Sequence, residues 1–244
     1  MLLSAEKVTK RFAGFTAVAE ADLMVEEGEI VGLIGPNGAG KSTFFNCVAG
    51  DLTPTSGRIR FAGVDVTHAP AEAHARLGIG RTFQVPATFE EMTILDNVMV
   101  GAYLRHHGWR AARAKALQVL EMTGLKDQAE LRAKSLGTPG RKRLEIARVL
   151  ASEPRLMLLD EALAGLTPSE IQRAIALVRD IHKLGITIVI VEHIMEVILT
   201  LAQRVLVFNQ GRVIASGKPQ AVINDPAVIE AYLGRGHGRA ARQP

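Results

Sequence analysis

Gly35-Pro36-Asn37-Gly38-Ala39-Gly40-Lys41-Ser42-Thr43 stands between two segments of different character. Upstream, Glu29 to Ile34, uncharged from Ile30 onward, reads as a buried strand; downstream, Thr43 to Ala49 reads as a helix. The stretch itself has a glycine, four residues, and then Gly-Lys-Ser. Between a strand and a helix, such a segment can curl so that successive backbone N–H groups converge on one phosphate. The helix N-terminus adds its partial positive charge at the same point. Lys41 is then placed for the β- and γ-phosphates, and the Ser42 hydroxyl for Mg²⁺. A glycine-rich turn with a chance Lys-Ser would not come with both flanking elements, so the stretch is read as a nucleoside-triphosphate site.

The 244 residues suffice for one large α/β domain with an inserted subdomain. Hydrophobic residues make up 48%, enough for a substantial core, and charged residues 22%. The net charge of +4 is spread along the chain rather than gathered in a patch, so a nucleic-acid partner is not expected. Cys47 is the single cysteine, which excludes an intrachain disulfide, and its apolar neighbours suggest a buried, inert thiol. No leader and no apolar run of bilayer-spanning length is seen, the longest candidates being strands such as Ile186 to Val191. A chain soluble by itself and cytoplasmic is expected.

Leu2 to Val8, Ala17 to Val25 and Ile30 to Ile34 read as strands, and Arg58 to Phe61 with Val64 to Val66 as a hairpin turning at Ala62-Gly63. The hairpin suggests a small antiparallel sheet beside the nucleotide. Apolar residues at three- and four-residue steps predict helices over Thr93 to Arg105 and Arg110 to Leu125, with stripe residues Ile94, Leu95, Val98, Ala102, Ala116, Leu117 and Leu120. A third helix is predicted over Lys142 to Ala151. Residues 86–152 thus read as a helical insertion between 1–85 and 153–234. Leu156 to Leu159 reads as a central parallel strand ending at Asp160-Glu161. Thr167, Pro168 and Glu170 form a capping box for a helix that ends at Gly185. Ile186 to Val191 is the next strand, and Val205 to Phe208 pairs with Arg212 to Ala215. Two short helices are predicted near 219–233, and residues 235–244 are expected to be a mobile basic tail.

A carboxylate ending a buried strand is costly unless it faces a cation or donors, which makes Asp160 a candidate for holding Mg²⁺. Glu161 is the candidate base for the attacking water. His193 follows a buried strand and is read as reaching the γ-phosphate, against the alternative of a structural histidine. Gln84, extended ahead of Val85-Pro86, is a candidate contact to the metal or water at the start of the insertion. Phe12 is either a platform for the adenine ring or a core aromatic.

In this order and spacing, Gly35 to Thr43, Gln84, Leu156 to Glu161 and His193 resemble the nucleotide-binding subunit of an ATP-binding-cassette (ABC) transporter, over almost the whole chain. The resemblance implies an α/β fold: a P-loop, RecA-like core with an antiparallel β subdomain and an inserted α-helical subdomain. It also implies ATP with Mg²⁺, and a second ATP-binding subunit, the same or different, facing this one. Two transmembrane permeases and an extracytoplasmic solute-binding protein would complete the assembly at the cytoplasmic face of the membrane. Lys142 to Arg148, Ala164 to Pro168, Val191 to Glu196 and Ala231 to Gly234 resemble the ATPases of branched-chain amino-acid importers. Lipopolysaccharide exporters share much of the pattern, and a soluble or regulatory ATP binder is the alternative of another class.

The chain departs from the family at its signature, Leu-Ser-Gly-Gly-Gln, which falls on Leu136-Gly137-Thr138-Pro139-Gly140. Gly137 has no hydroxyl and Pro139 no N–H, so two donors that this loop offers a facing nucleotide are missing. The chain's own site is expected to be competent and the one it completes for its partner weaker.

Overall fold

The computed structural model describes residues 1–233. Strands β1 (Leu3–Phe12), β2 (Phe15–Val25) and β3 (Ile30–Ile34) lead to helix α1 (Lys41–Ala49), then β4 (Ser56–Phe61), β5 (Val64–Asp65), α2 (Ala71–Leu77) and β6 (Ile79–Arg81). Helices α3 (Ile94–Ala102), α4 (Trp109–Met122) and α5 (Thr138–Ala151) precede β7 (Leu156–Asp160), α6 (Pro168–Lys183), β8 (Thr187–Val191) and α7 (Met195–Leu201). The last described elements are β9 (Arg204–Asn209), β10 (Arg212–Gly217), α8 (Pro219–Val222) and α9 (Pro226–Leu233). The chain divides into two compact units, residues 1–71 with 187–233, and residues 72–186. The basic tail expected at 235–244 lies outside the described residues.

The first unit holds two kinds of strand pairing. An antiparallel sheet runs in the order β2-β1-β4-β5, with Leu3 opposite Val25 and Phe61. Separately, β3 lies parallel to β8 on one side and β9 on the other, and β10 is antiparallel to β9. Every residue of β3 and β8 is buried, as expected for strands covered on both faces. The β9–β10 hairpin turns at Gln210-Gly211, both with positive φ (48° and 79°), the geometry whose twist suits a two-residue connection. Helix α1 is fixed to this layer by Phe44, fully buried, whose ring lies 5.2 Å from that of Phe208 in β9.

In the second unit β6 and β7 pair in parallel, with Ile79 opposite Leu156. Helices α3, α4 and α5 pack on one another. Thr93 caps α3 by accepting the Asp96 N–H at 2.9 Å. The apolar stripe differs from the expectation at one position: Leu117 is half-buried and Val119 is the buried residue instead. The capping box of α6 is in place, the Glu170 carboxylate accepting the N–H and hydroxyl of Thr167, each at 2.8 Å.

Three further expectations need correction. Helix α5 begins at Thr138 rather than Lys142, because Pro139 falls in the first turn, where a missing N–H is not needed. Strand β1 runs on to Phe12 instead of stopping at Val8, through irregular pairing with β2 between Ala5 and Arg11. The segment before Gln84 also contains α2 and β6, neither of which was expected.

Candidate functional site

The cradle of the first unit is built at the end of β3. Gly35 has φ 145° and Gly40 φ 102°, and a Cβ at either would run into a backbone carbonyl, that of Phe208 or Ala17 respectively. Only glycine lets the chain pass so close to its neighbours and then turn into α1. Among the described residues no side chain caps α1, and its first turn has no acid. Its leading N–H groups therefore meet no negative side chain of their own, which suits an external anion. Lys41 is only 7% exposed, and its ammonium donates to the carbonyls of Gly35 (2.7 Å) and Pro36 (3.0 Å). The lysine is thus folded back over the loop, held by weak acceptors that a phosphate outcompetes.

His193 follows the neighbouring strand. Leu33 is in register with Val191, so by count Gly35 and His193 leave their strands at the same level, and His193 is exposed there. Phe12 ends β1 opposite Phe15 and is 45% exposed, which excludes the core-aromatic alternative. The Lys10 ammonium lies 5.2 Å from its ring centroid. Cys47 is buried, and burial pushes its thiol up to about 11, so it is inert as expected. One neighbour had no counterpart in the sequence reading: Tyr232 of α9 lies near the Gly35 N–H at the start of the cradle. Burial raises the phenol above its ordinary value, and the nearby Gly35 N–H opposes the rise.

In the second unit Asp160 ends β7, 5% exposed, and its N–H donates to the Thr82 hydroxyl at 3.2 Å. Its carboxylate is paired with Arg81, Nη2 to Oδ2 3.3 Å. Glu161 follows with φ 46°, a left-handed conformation that costs a non-glycine residue about 1 kcal/mol or more. Lys142 donates to the Glu161 carbonyl at 2.9 Å, and the Gln84 amide donates to its carboxylate at 2.9 Å. Gln84 and Glu161 are therefore brought together.

The segment carrying Gln84 is in turn held by α5. The buried Glu145 carboxylate accepts the Ala87 N–H at 3.3 Å, and Arg148 donates to the Ala87 carbonyl at 2.6 Å. The Arg148 guanidinium lies 5.3 Å from the Phe89 ring centroid. Burial raises the Glu145 carboxyl above its ordinary range, against the N–H groups of Ala87 and Phe83 and the charges of Arg148 and Lys142. Sequence reasoning met Glu145 and Arg148 only as part of a resemblance. Their role was recoverable in part, because two charges three residues apart on a mostly apolar helix face need partners.

The oxygens of Ser42, Gln84 and Asp160 are hydroxyl, amide and carboxylate, the hard donors Mg²⁺ takes. Among the described residues no cluster of three or more His, Cys, Asp or Glu is suited to hold a metal by itself. No helix among the described residues is long and apolar enough to cross a membrane.

A glycine cradle opening an uncapped helix, with an acidic pair at the end of a buried strand, defines a P-loop nucleotide-binding protein. Residues 18–164, more than half of the chain, match the ABC transporter family, and the chain belongs to it: it is an ATP-binding cassette. Residues 212–238 match a segment described as branched-chain amino acid ATP-binding cassette transporter. The chain is 38% identical to the high-affinity branched-chain amino acid transport ATP-binding protein LivG of Escherichia coli (strain K12), over 96% of this chain and 98% of that one. It is 34% identical to the lipopolysaccharide export system ATP-binding protein LptB of Acidithiobacillus ferridurans, covering 96% and 97%. A solved ATP-binding cassette of an ABC transporter in its ADP conformation superposes with a TM-score of 0.87 at 30% identity, covering 96% and 98%.

Proposed function

We propose that this chain is the ATP-hydrolysing subunit of an ABC importer that takes up branched-chain amino acids or related small polar solutes. The observation that carries the hydrolase reading is the cradle at 35–43, where Lys41 is folded over an uncapped helix N-terminus. The likeness to LivG and the matching segment at 212–238 support the importer assignment.

Lys41 leaves the Gly35 and Pro36 carbonyls for the β- and γ-phosphates, and the remaining cradle N–H groups, Gly38 to Thr43, surround the phosphate chain. Phe12 stacks on the adenine. Ser42, Asp160 and Gln84 would hold Mg²⁺, which would supply charge neutralisation at the phosphates. Glu161 takes the proton of the attacking water as its oxygen bonds to the γ-phosphorus and the bond to the β–γ bridging oxygen breaks. Gln84 orients Glu161 through its amide, and His193 contacts the γ-phosphate. A second cassette, two permeases and an extracytoplasmic binding protein complete the assembly at the cytoplasmic face of the membrane.

Reconstituting the chain with its permeases and binding protein in liposomes tests this reading. ATP-dependent uptake of leucine, abolished by Glu161→Gln while ATP stays bound, is expected. ATP binding without any turnover in that assembly would favour a regulatory binder. The likeness to LptB favours one second reading, an exporter ATPase, which turnover supported only by lipopolysaccharide-export permeases would establish.

A further inference from the structure

The acid that ends β7 already has a cationic partner. Arg81, the last residue of β6, places Nη2 3.3 Å from Asp160 Oδ2, with side chains 12% and 7% exposed. The guanidinium is fixed on its other sides. Its Nε donates to the Thr82 carbonyl at 3.3 Å, and its carbon lies 4.6 Å from the Phe83 ring centroid. Thr82, fully buried, receives the Asp160 N–H on its hydroxyl, so both partners are held through the same residue. A carboxylate this buried needs a counter-charge, and Arg81 supplies one.

We propose that Arg81 is a positioning residue that holds the Asp160 carboxylate through Oδ2, and that its fixed charge sets the metal affinity there. The inference rests on the reading of Asp160 as a metal-holding residue. A dication brought to the same carboxylate stands beside a fixed positive charge, and like charges in a partly desolvated place repel strongly. Arg81 therefore weakens the metal at Asp160, which favours release after turnover.

Mn²⁺ binding to the full chain, followed by electron paramagnetic resonance at saturating non-hydrolysable ATP analogue, measures this without relying on activity. Arg81→Gln is expected to bind Mn²⁺ about tenfold more tightly than wild type. Arg81→Lys, which keeps the charge, should stay near wild type. Arg81→Met retains apolar packing against Phe83 without charge and reads the same quantity if the glutamine variant folds poorly. Equal or weaker Mn²⁺ binding in the folded neutral variants overturns the proposal. Loss of analogue binding by wild type itself would instead overturn the nucleotide-site reading.

Discussion

The signature at 136–140 provides a perturbation that should raise activity rather than destroy it. Gly137 is the N-cap of α5, with φ −68° and ψ 173°, ordinary for any residue, and a Cβ there would meet only Pro139 Cδ at 3.8 Å. Serine therefore fits without strain. Its hydroxyl can cap a helix that has no side-chain cap, worth a few tenths of a kcal/mol over glycine. Pro139→Gly restores a backbone N–H and frees the unfolded chain, at about 1 kcal/mol. The double variant should thus lose about 1 kcal/mol or less, small against the ~5–15 kcal/mol of a folded domain. A glutamine at 140 is a poorer addition, because a Cβ there would lie 2.9 Å from Leu136 Cδ2. One well-placed donor to developing charge is worth on the order of 10²–10³ in rate. Phosphate release by the assembled complex at saturating Mg-ATP is expected to rise by about tenfold or more in the double variant, with each single variant falling between. A folded double variant that turns over no faster than wild type would refute the view that Gly137 and Pro139 weaken the facing site.

Contacts within each unit carry further consequences. Because burial keeps the folded Glu145 carboxyl protonated to higher pH than its ordinary value of 4.5, the native state holds the extra proton and unfolding free energy falls as pH rises from about 4.5 through the folded value. Urea midpoints of wild type should decline across that window relative to Glu145→Gln, and parallel curves would remove the effect. The same variant, with its hold on Ala87 weakened, should lower kcat several-fold while leaving ATP affinity unchanged. Tyr232→Phe removes the phenol near the Gly35 N–H and should weaken nucleotide binding by calorimetry, by no more than the about fivefold that one hydrogen bond is worth. Unaltered affinity would mean that α9 does not support the cradle.

The parts of the fold that were legible were those with local patterns. The glycine spacing at 35–43, the apolar runs of β3, β7 and β8, the Thr167-Pro168-Glu170 cap and the turn at Gln210-Gly211 each carry their own signal within a few residues. What was missed depends on distance along the chain. Arg81 meets Asp160 across 79 positions, and β6 is a three-residue strand with one apolar residue, too short for any period to register. The α5 start was misplaced because Pro139 reads as a breaker until its place in the first turn is known. Tyr232 carries no local signal of its own, and nothing in its neighbourhood ties it to Gly35 nearly two hundred residues earlier. Tyr232 comes near Gly35 because α9 packs against β10. The candidate residues are thus in part local motifs and in part products of packing.

Whether the cradle at 35–43 takes a triphosphate is decided most directly by equilibrium ATP binding to purified wild type and Lys41→Ala. Wild type should retain ATP, and Lys41→Ala should lose most of that affinity while keeping its thermal unfolding profile. Equal ATP binding by the two folded proteins, or none by wild type even alongside its membrane subunits, would contradict the assignment.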